Sequence, residues 1–147
     1  MNEIQNYDFG SEDFETVKGP SEKTITKNIL KNIRTIEGVR VSKRSTGWNR
    51  TGEPDVTGCY KGVRFELELK VPGKKPTKLQ QKRLDEWRES GAVVYWTDNV
   101  DDAMRWFYKC VIPLGDFLEG NRQDDGQLTP SALRAIGGPF NNPDWIT

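Results

Sequence analysis

Histidine is absent from the 147 residues, and with it go imidazole acid–base catalysis and most zinc sites. Chemistry in this chain must rest on carboxylates, lysines, hydroxyls or a metal held by oxygen. Cysteine is scarce as well. Cys59 and Cys110 are too few for a disulfide framework and suit a reducing cytosol, where small apolar thiols sit in cores. No apolar run approaches the roughly 20 residues that cross a bilayer. The opening Met1-Asn2-Glu3-Ile4-Gln5 has neither the basic nor the apolar region of a secretory leader. The expectation is a cytoplasmic protein with no membrane partner. The length predicts one domain with additions, large enough to bury about two-thirds of its unfolded surface without staples. There are no internal repeats.

Net charge is also missing, with 22 Lys and Arg against 22 Asp and Glu, but the balance is uneven along the chain. Residues 1–20 hold one basic against five acidic residues, residues 21–112 hold 19 against 12, and residues 113–147 hold two against five. A basic body lies between two acidic tails. Within 38–83 there are 12 basic residues and four acidic ones: Glu53, Asp55, Glu66 and Glu68. Such a field attracts polyanions, although any single lysine is more often a solvated surface group.

The periodicity divides the chain into three parts. Residues 1–20 read as an acidic arm ending at Gly19-Pro20. Residues 21–112 carry the core pattern. Ser21 is an N-cap candidate ahead of Ile25, Ile29, Ile33 and Ile36 at helical spacing, stopped by Glu37-Gly38. Val39 and Val41 predict a short strand. Asp55 to Tyr60 predicts a second, turned by Lys61-Gly62 into a third, Val63 to Val71, with strict alternation. A helix opened by Thr77 closes near Gly91; Val93 to Trp96 reads as a strand, and a last helix runs from about Val100 to Cys110, capped by Asp98 or Asn99. Leu84 with Trp87, and Trp106 with Phe107, read as helix faces packed on the sheet. Residues 113–147 are rich in Gly, Pro and Asn and lie outside the core pattern. The order predicts an α/β fold: a mixed sheet of about four strands, with the strand after the crossover helix returning parallel, and helices on both faces.

The third strand carries the chemistry. Glu68 and Lys70 leave one face about 6.6 Å apart, so a carboxylate can grip a hard divalent ion while an ammonium positions a water. Leu69 between them sends its side chain to the core and leaves its backbone carbonyl as a further oxygen donor. Asp55 comes from the neighbouring strand, bent into place by Pro54. Mg²⁺ and Mn²⁺ prefer such oxygen ligands and promote phosphodiester hydrolysis by activating water and neutralising phosphate charge. Glu68 is favoured over Glu66 because no lysine lies two residues after Glu66. A Glu-x-Lys triplet alone has little specificity, since a solvated strand face carries the same pattern, and Pro-Asp alone is a common turn.

Gly52-Glu53-Pro54-Asp55, Phe65-Glu66-Leu67-Glu68-Leu69-Lys70 and Pro76-Thr77-Lys78-Leu79-Gln80, with Gly91 beyond, taken in order resemble the virus-type replication-repair nuclease (VRR-NUC) domain of the PD-(D/E)xK superfamily. Glu22 and the Arg44-Ser45-Thr46-Gly47 loop extend the match, which covers roughly residues 21–104. The resemblance implies a restriction-endonuclease-like fold and a Mg²⁺- or Mn²⁺-dependent DNA endonuclease. It further implies a homodimer acting on branched, Holliday-junction-like DNA in replication, recombination or repair, in a bacterial cell and often encoded by a phage. By the same resemblance Asp55 and Glu68 are metal ligands, Lys70 orients water, Glu22 is an accessory carboxylate of the metal shell, and Gln80 is the glutamine of the second helix. Two of these have ordinary alternatives. An acidic residue in a first turn suits the helix dipole without further reason, and Thr77-x-x-Gln80 is a capping box.

The residues nominated for DNA are Lys43, Arg44, Arg50, Lys74, Lys75 and Lys78, which flank the site in loops. Trp48 either stacks on an unpaired base or closes the core over its loop. Two other functions stay open: a catalytically silent DNA-binding module on a nuclease fold, and a protein that engages a partner through its acidic tails.

Overall fold

A computed structural model of the chain describes residues 18–45 and 50–132; Thr46, Gly47, Trp48, Asn49, the first arm up to residue 17 and the stretch from residue 133 lie outside the described residues. Ser21 caps the first helix, α1 (Glu22–Arg34), by accepting the Thr24 amide at 3.2 Å. Ile25, Ile29 and Ile33 form its buried stripe. The helix ends short of the predicted Glu37-Gly38 stop. Gly38, at φ 84°, then turns the chain into the sheet.

Four strands, β1 (Val39–Lys43), β2 (Val56–Tyr60), β3 (Val63–Leu69) and β4 (Val93–Thr97), lie in the order β1-β2-β3-β4. The first three run antiparallel to their neighbours, and β4 joins β3 in parallel after the helix α2 (Lys78–Glu89). The mixed four-stranded sheet is as expected. Between β2 and β3 the two turn residues Lys61 and Gly62 both have positive φ, 46° and 92°, the conformation that matches a tight hairpin to strand twist.

Strict alternation in β3 sorts the sheet into two faces. Val63, Phe65, Leu67 and Leu69 are buried beneath α1 and the C-terminal helices. Phe65 meets the rings of Phe107 and Trp106 edge-on at 5.1 and 6.4 Å, and Trp106 stacks flat on Tyr95 at 5.3 Å. Gly58, paired with Phe65 across the hairpin, leaves room for that ring: a Cβ at Gly58 would stand 2.3 Å from Phe65 Cζ. The other face carries Thr57, Arg64, Glu66 and Glu68 and is covered by α2, whose Leu84 is buried. Cys59 is exposed rather than in the core, because its place in β2 sends it to this polar face.

Other element bounds also differ from the expectation. β3 ends at Leu69, although Lys70 still donates its amide to Thr97 of β4 at 3.0 Å. The last helix does not stop at Cys110. Asn99 caps α3 (Val100–Trp106), a π-helical turn follows over Phe107–Val111, and α4 (Ile112–Gly120) continues the run. Pro113 is no obstacle because in a first turn its missing amide loses no hydrogen bond. Leu114 and Leu118 of α4 pack on the core, so this part of the stretch from 113 joins it. Gly115 is pressed against Tyr60, where a Cβ would fall 2.3 Å from the ring, and the Tyr60 hydroxyl donates to Asp116 at 2.6 Å.

Candidate active site

Asp55 occupies the bend that leads into β2, one residue after buried Pro54. Its position is fixed from both ends. The Asp55 backbone carbonyl accepts the Arg44 amide at 2.7 Å, and its side-chain Oδ2 accepts the Leu69 amide at 2.9 Å. The second bond extends the β2–β3 pairing through a side chain and places the Asp55 carboxylate beside the end of β3.

There the two acidic residues of β3 differ. Glu66 is fully buried and fully engaged: Arg44 Nη2 pairs with Oε2, and Oε1 accepts Thr57 Oγ1 at 2.7 Å and Arg64 Nε at 2.9 Å. Glu68 is 1% exposed, yet neither of its carboxylate oxygens has a hydrogen-bond partner. The one close partner among the described residues is the Lys70 ammonium, an ion pair 2.7 Å from Oε1. Burial drives the Glu68 carboxyl up to about 7; Lys70 pulls it down, and the negative charges of Asp55 and Glu22 push it further up. A solvated Glu66/Glu68/Lys70 face is therefore excluded.

The structure seats Asp55 on the Leu69 backbone and Lys70 on Glu68, so these residues share the end of β3. Glu22, the half-buried first residue of α1, is close enough for its charge to be felt at Glu68. Among the described residues, however, no three His, Cys, Asp or Glu side chains are gathered tightly enough to hold an ion by themselves. A hard divalent ion is still a chemical match. Mg²⁺ sites use one or two carboxylates and complete the shell with water and substrate oxygens, and a buried carboxylate without donors is a group such an ion satisfies. Gln80 makes the capping box: its Oε1 accepts the Thr77 amide at 2.9 Å and its backbone amide donates to Thr77 Oγ1 at 3.2 Å.

The nominated cations divide. Lys43, Arg50, Lys74, Lys75 and Lys78 are exposed, Arg50 beside an open depression of about 190 Å³ lined with Thr51, Gly52, Pro54 and Asp55. Arg44 faces inward, held by Glu66 and by the Pro54 carbonyl, which accepts its Nε at 3.0 Å. Glu66, Arg64, Thr57, Trp87 and Glu53 had no place in the predicted site. Trp87 Nε1 donates to Glu53 at 2.7 Å, and its ring lies 5.4 Å from the Arg44 guanidinium and 4.9 Å from that of Arg64. The one sequence signal for this group was the shared parity of Arg64 and Glu66 on β3.

No protein-family model matches the chain, and no curated protein does. Solved structures match the fold. One described as a VRR_NUC domain is 24% identical, covers 59% of this chain and 94% of its own, and superposes with a TM-score of 0.52. A second, described as a VRR_NUC domain protein, is 13% identical, covers 63% and 88%, and has a TM-score of 0.53. The fold of this chain is thus that of VRR-NUC domains.

Proposed function

We propose that this VRR-NUC-fold protein is a metal-dependent endonuclease that hydrolyses phosphodiester bonds in DNA. One observation carries the reading: a buried carboxylate, Glu68, whose close partner is the Lys70 ammonium and which otherwise has no hydrogen-bond donor among the described residues, with Asp55 beside it. Asp55, Glu68 and the Leu69 carbonyl would hold Mg²⁺ or Mn²⁺, with Glu22 as the accessory carboxylate. Bound there, such an ion supplies Lewis-acid stabilisation of phosphate charge and a more acidic water. Lys70 donates hydrogen bonds that orient the attacking water and offers positive charge to the phosphate in the transition state. The backbone bond from Leu69 holds Asp55 at the site before substrate arrives, so little reorganisation is left for the reaction. Gln80 caps α2 at the border of the site and keeps its side-chain NH₂ for substrate.

Lys43, Arg50, Lys74, Lys75 and Lys78 supply the exposed positive charge for the DNA backbone. One active centre per chain suits a two-fold dimer when two strands are cut, and the substrate class proposed is branched DNA in replication, recombination or repair, in a bacterial or phage setting. Among the described residues no helix is long and apolar enough to cross a membrane.

The test is a cleavage panel of single-stranded, duplex, flap and four-way-junction DNA, each with Mg²⁺, Mn²⁺ or EDTA. Wild type is expected to cut in a divalent ion and Asp55→Ala to be silent. Robust cutting by Asp55→Ala sinks the proposal. Binding without cutting by wild type on every substrate moves the reading to a non-cutting DNA-binding module.

A further inference from the structure

Glu66 has no part in the proposed chemistry, yet Arg44, Arg64 and Thr57 converge on it. A buried ion pair is weak evidence of a stabilising role, because a well-packed apolar pair is often as stable or more so. The Arg44 guanidinium is what connects Glu66 to the site. Its Nη2 is on Glu66 and its Nε is on the Pro54 carbonyl, while the Arg44 backbone amide is on the Asp55 carbonyl. A guanidinium is a rigid fork, so fixing one arm at Glu66 fixes where the other meets the Pro54–Asp55 turn. The Trp87 ring flanks the same guanidinium and ties Glu53, one residue before Pro54, through its indole N–H.

We propose that Glu66 is a positioning residue: through Arg44 it holds the Pro54–Asp55 turn so that the Asp55 carboxylate stays on the Leu69 amide and faces Glu68. The inference rests on the nuclease reading for its function, but the geometry it describes can be measured without metal. Arg64 is the internal control. It binds Glu66 and Thr57 and lies over the Trp87 ring, but among the described residues it makes no hydrogen bond to the Pro54–Asp55 turn.

Four proteins are compared: wild type, Glu66→Gln, Arg44→Lys and Arg64→Gln. Arg44→Lys keeps the charge but cannot bridge both partners, and it preserves the test if Glu66→Gln fails to fold. Two quantities are read, the exchange of the Leu69 amide by NMR, corrected for global stability, and Mn²⁺ affinity by electron paramagnetic resonance. Glu66→Gln and Arg44→Lys are expected to speed Leu69 exchange and to weaken Mn²⁺ binding by about 10–100-fold, the range for groups that orient ligands. Arg64→Gln is expected to leave both near wild type. Unchanged Leu69 exchange in Glu66→Gln and Arg44→Lys overturns the inference, as does an equal loss in all three variants, which would mark a purely structural network. Failure of wild type to bind Mn²⁺ would count against the nuclease reading instead, and Leu69 exchange would then decide the positioning role alone.

Discussion

Glu66 and Glu68 stand two residues apart on one face of β3, both buried, but Arg44, Thr57 and Arg64 donate to Glu66 whereas among the described residues Glu68 has only the Lys70 ion pair. The difference separates two uses of one side-chain type. A carboxylate between two arginines and a threonine is a finished structural element. A buried carboxylate with a single ion pair is poised to receive something.

That state has a pH signature. The unfolded chain ionises Glu68 near the ordinary 4.5, and the folded chain holds its proton up to about 7. The stability conferred by that proton is complete below the lower value and is lost as pH rises to the upper one, about 3 kcal/mol at roughly 1.36 kcal/mol per unit. In EDTA, urea unfolding is expected to show Glu68→Gln gaining on wild type from about pH 4.5 to just above 7, with no further change beyond. Added Mn²⁺ should reverse the gain. A difference independent of pH would contradict the burial of an unsatisfied Glu68.

Lys70 and Asp55 should fail in different ways. Lys70→Ala is expected to lower kcat by about 10²–10³-fold, the range for losing one preorganised hydrogen-bond donor, with Mn²⁺ affinity little altered. Asp55→Ala is expected to lose Mn²⁺ binding itself. Isothermal titration of Mn²⁺ beside single-turnover cleavage separates the two.

Gln80 has two possible duties, and a glutamate distinguishes them. Glu preserves a capping box, whereas Ala removes its reciprocal bond and is expected to cost about 0.5–1 kcal/mol. Thermal melts should therefore place Gln80→Glu near wild type and Gln80→Ala below it. If the side-chain NH₂ also serves substrate, cleavage falls in both. Full activity in Gln80→Glu would leave capping as its whole role.

The exposed lysines after β3 act through charge. Replacing Lys74, Lys75 or Lys78 by Ala is expected to weaken DNA binding alike across sequences. The salt dependence should flatten by about one unit of slope for each phosphate that is no longer neutralised. Fluorescence anisotropy between about 50 and 200 mM salt reads this directly. An unchanged slope in the triple variant would remove these residues from the interface.

What was legible in the sequence was local. The Ile25–Ile29–Ile33 stripe, the alternation of β3 and the Thr77–Gln80 capping box each reside in a few consecutive residues, and each appears in the structure. The approach of Asp55 to Glu68 and Lys70 was legible only because the three residues sit in a recognisable motif order. Arg44 illustrates what was hidden. Its sequence neighbours mark it as a loop cation, but its partner Glu66 is 22 residues away, and only the β1–β2–β3 pairing brings them together. The continuation through α4 was hidden for another reason: the Gly-, Pro- and Asn-rich composition from 113 onward masks it, while a first-turn position for Pro113 and the Tyr60 ring against Gly115 make both acceptable in a helix.

The seating of α4 on Tyr60 sets where the chain can be shortened. A recombinant fragment cut after residue 112, where the polar, Gly- and Pro-rich composition invites a boundary, would strip Leu114 and Leu118 from the core and leave the Tyr60 hydroxyl without Asp116. Such a fragment would expose fresh apolar surface at the β2–β3 hairpin, and its low yield or aggregation would be mistaken for a property of the sheet domain itself.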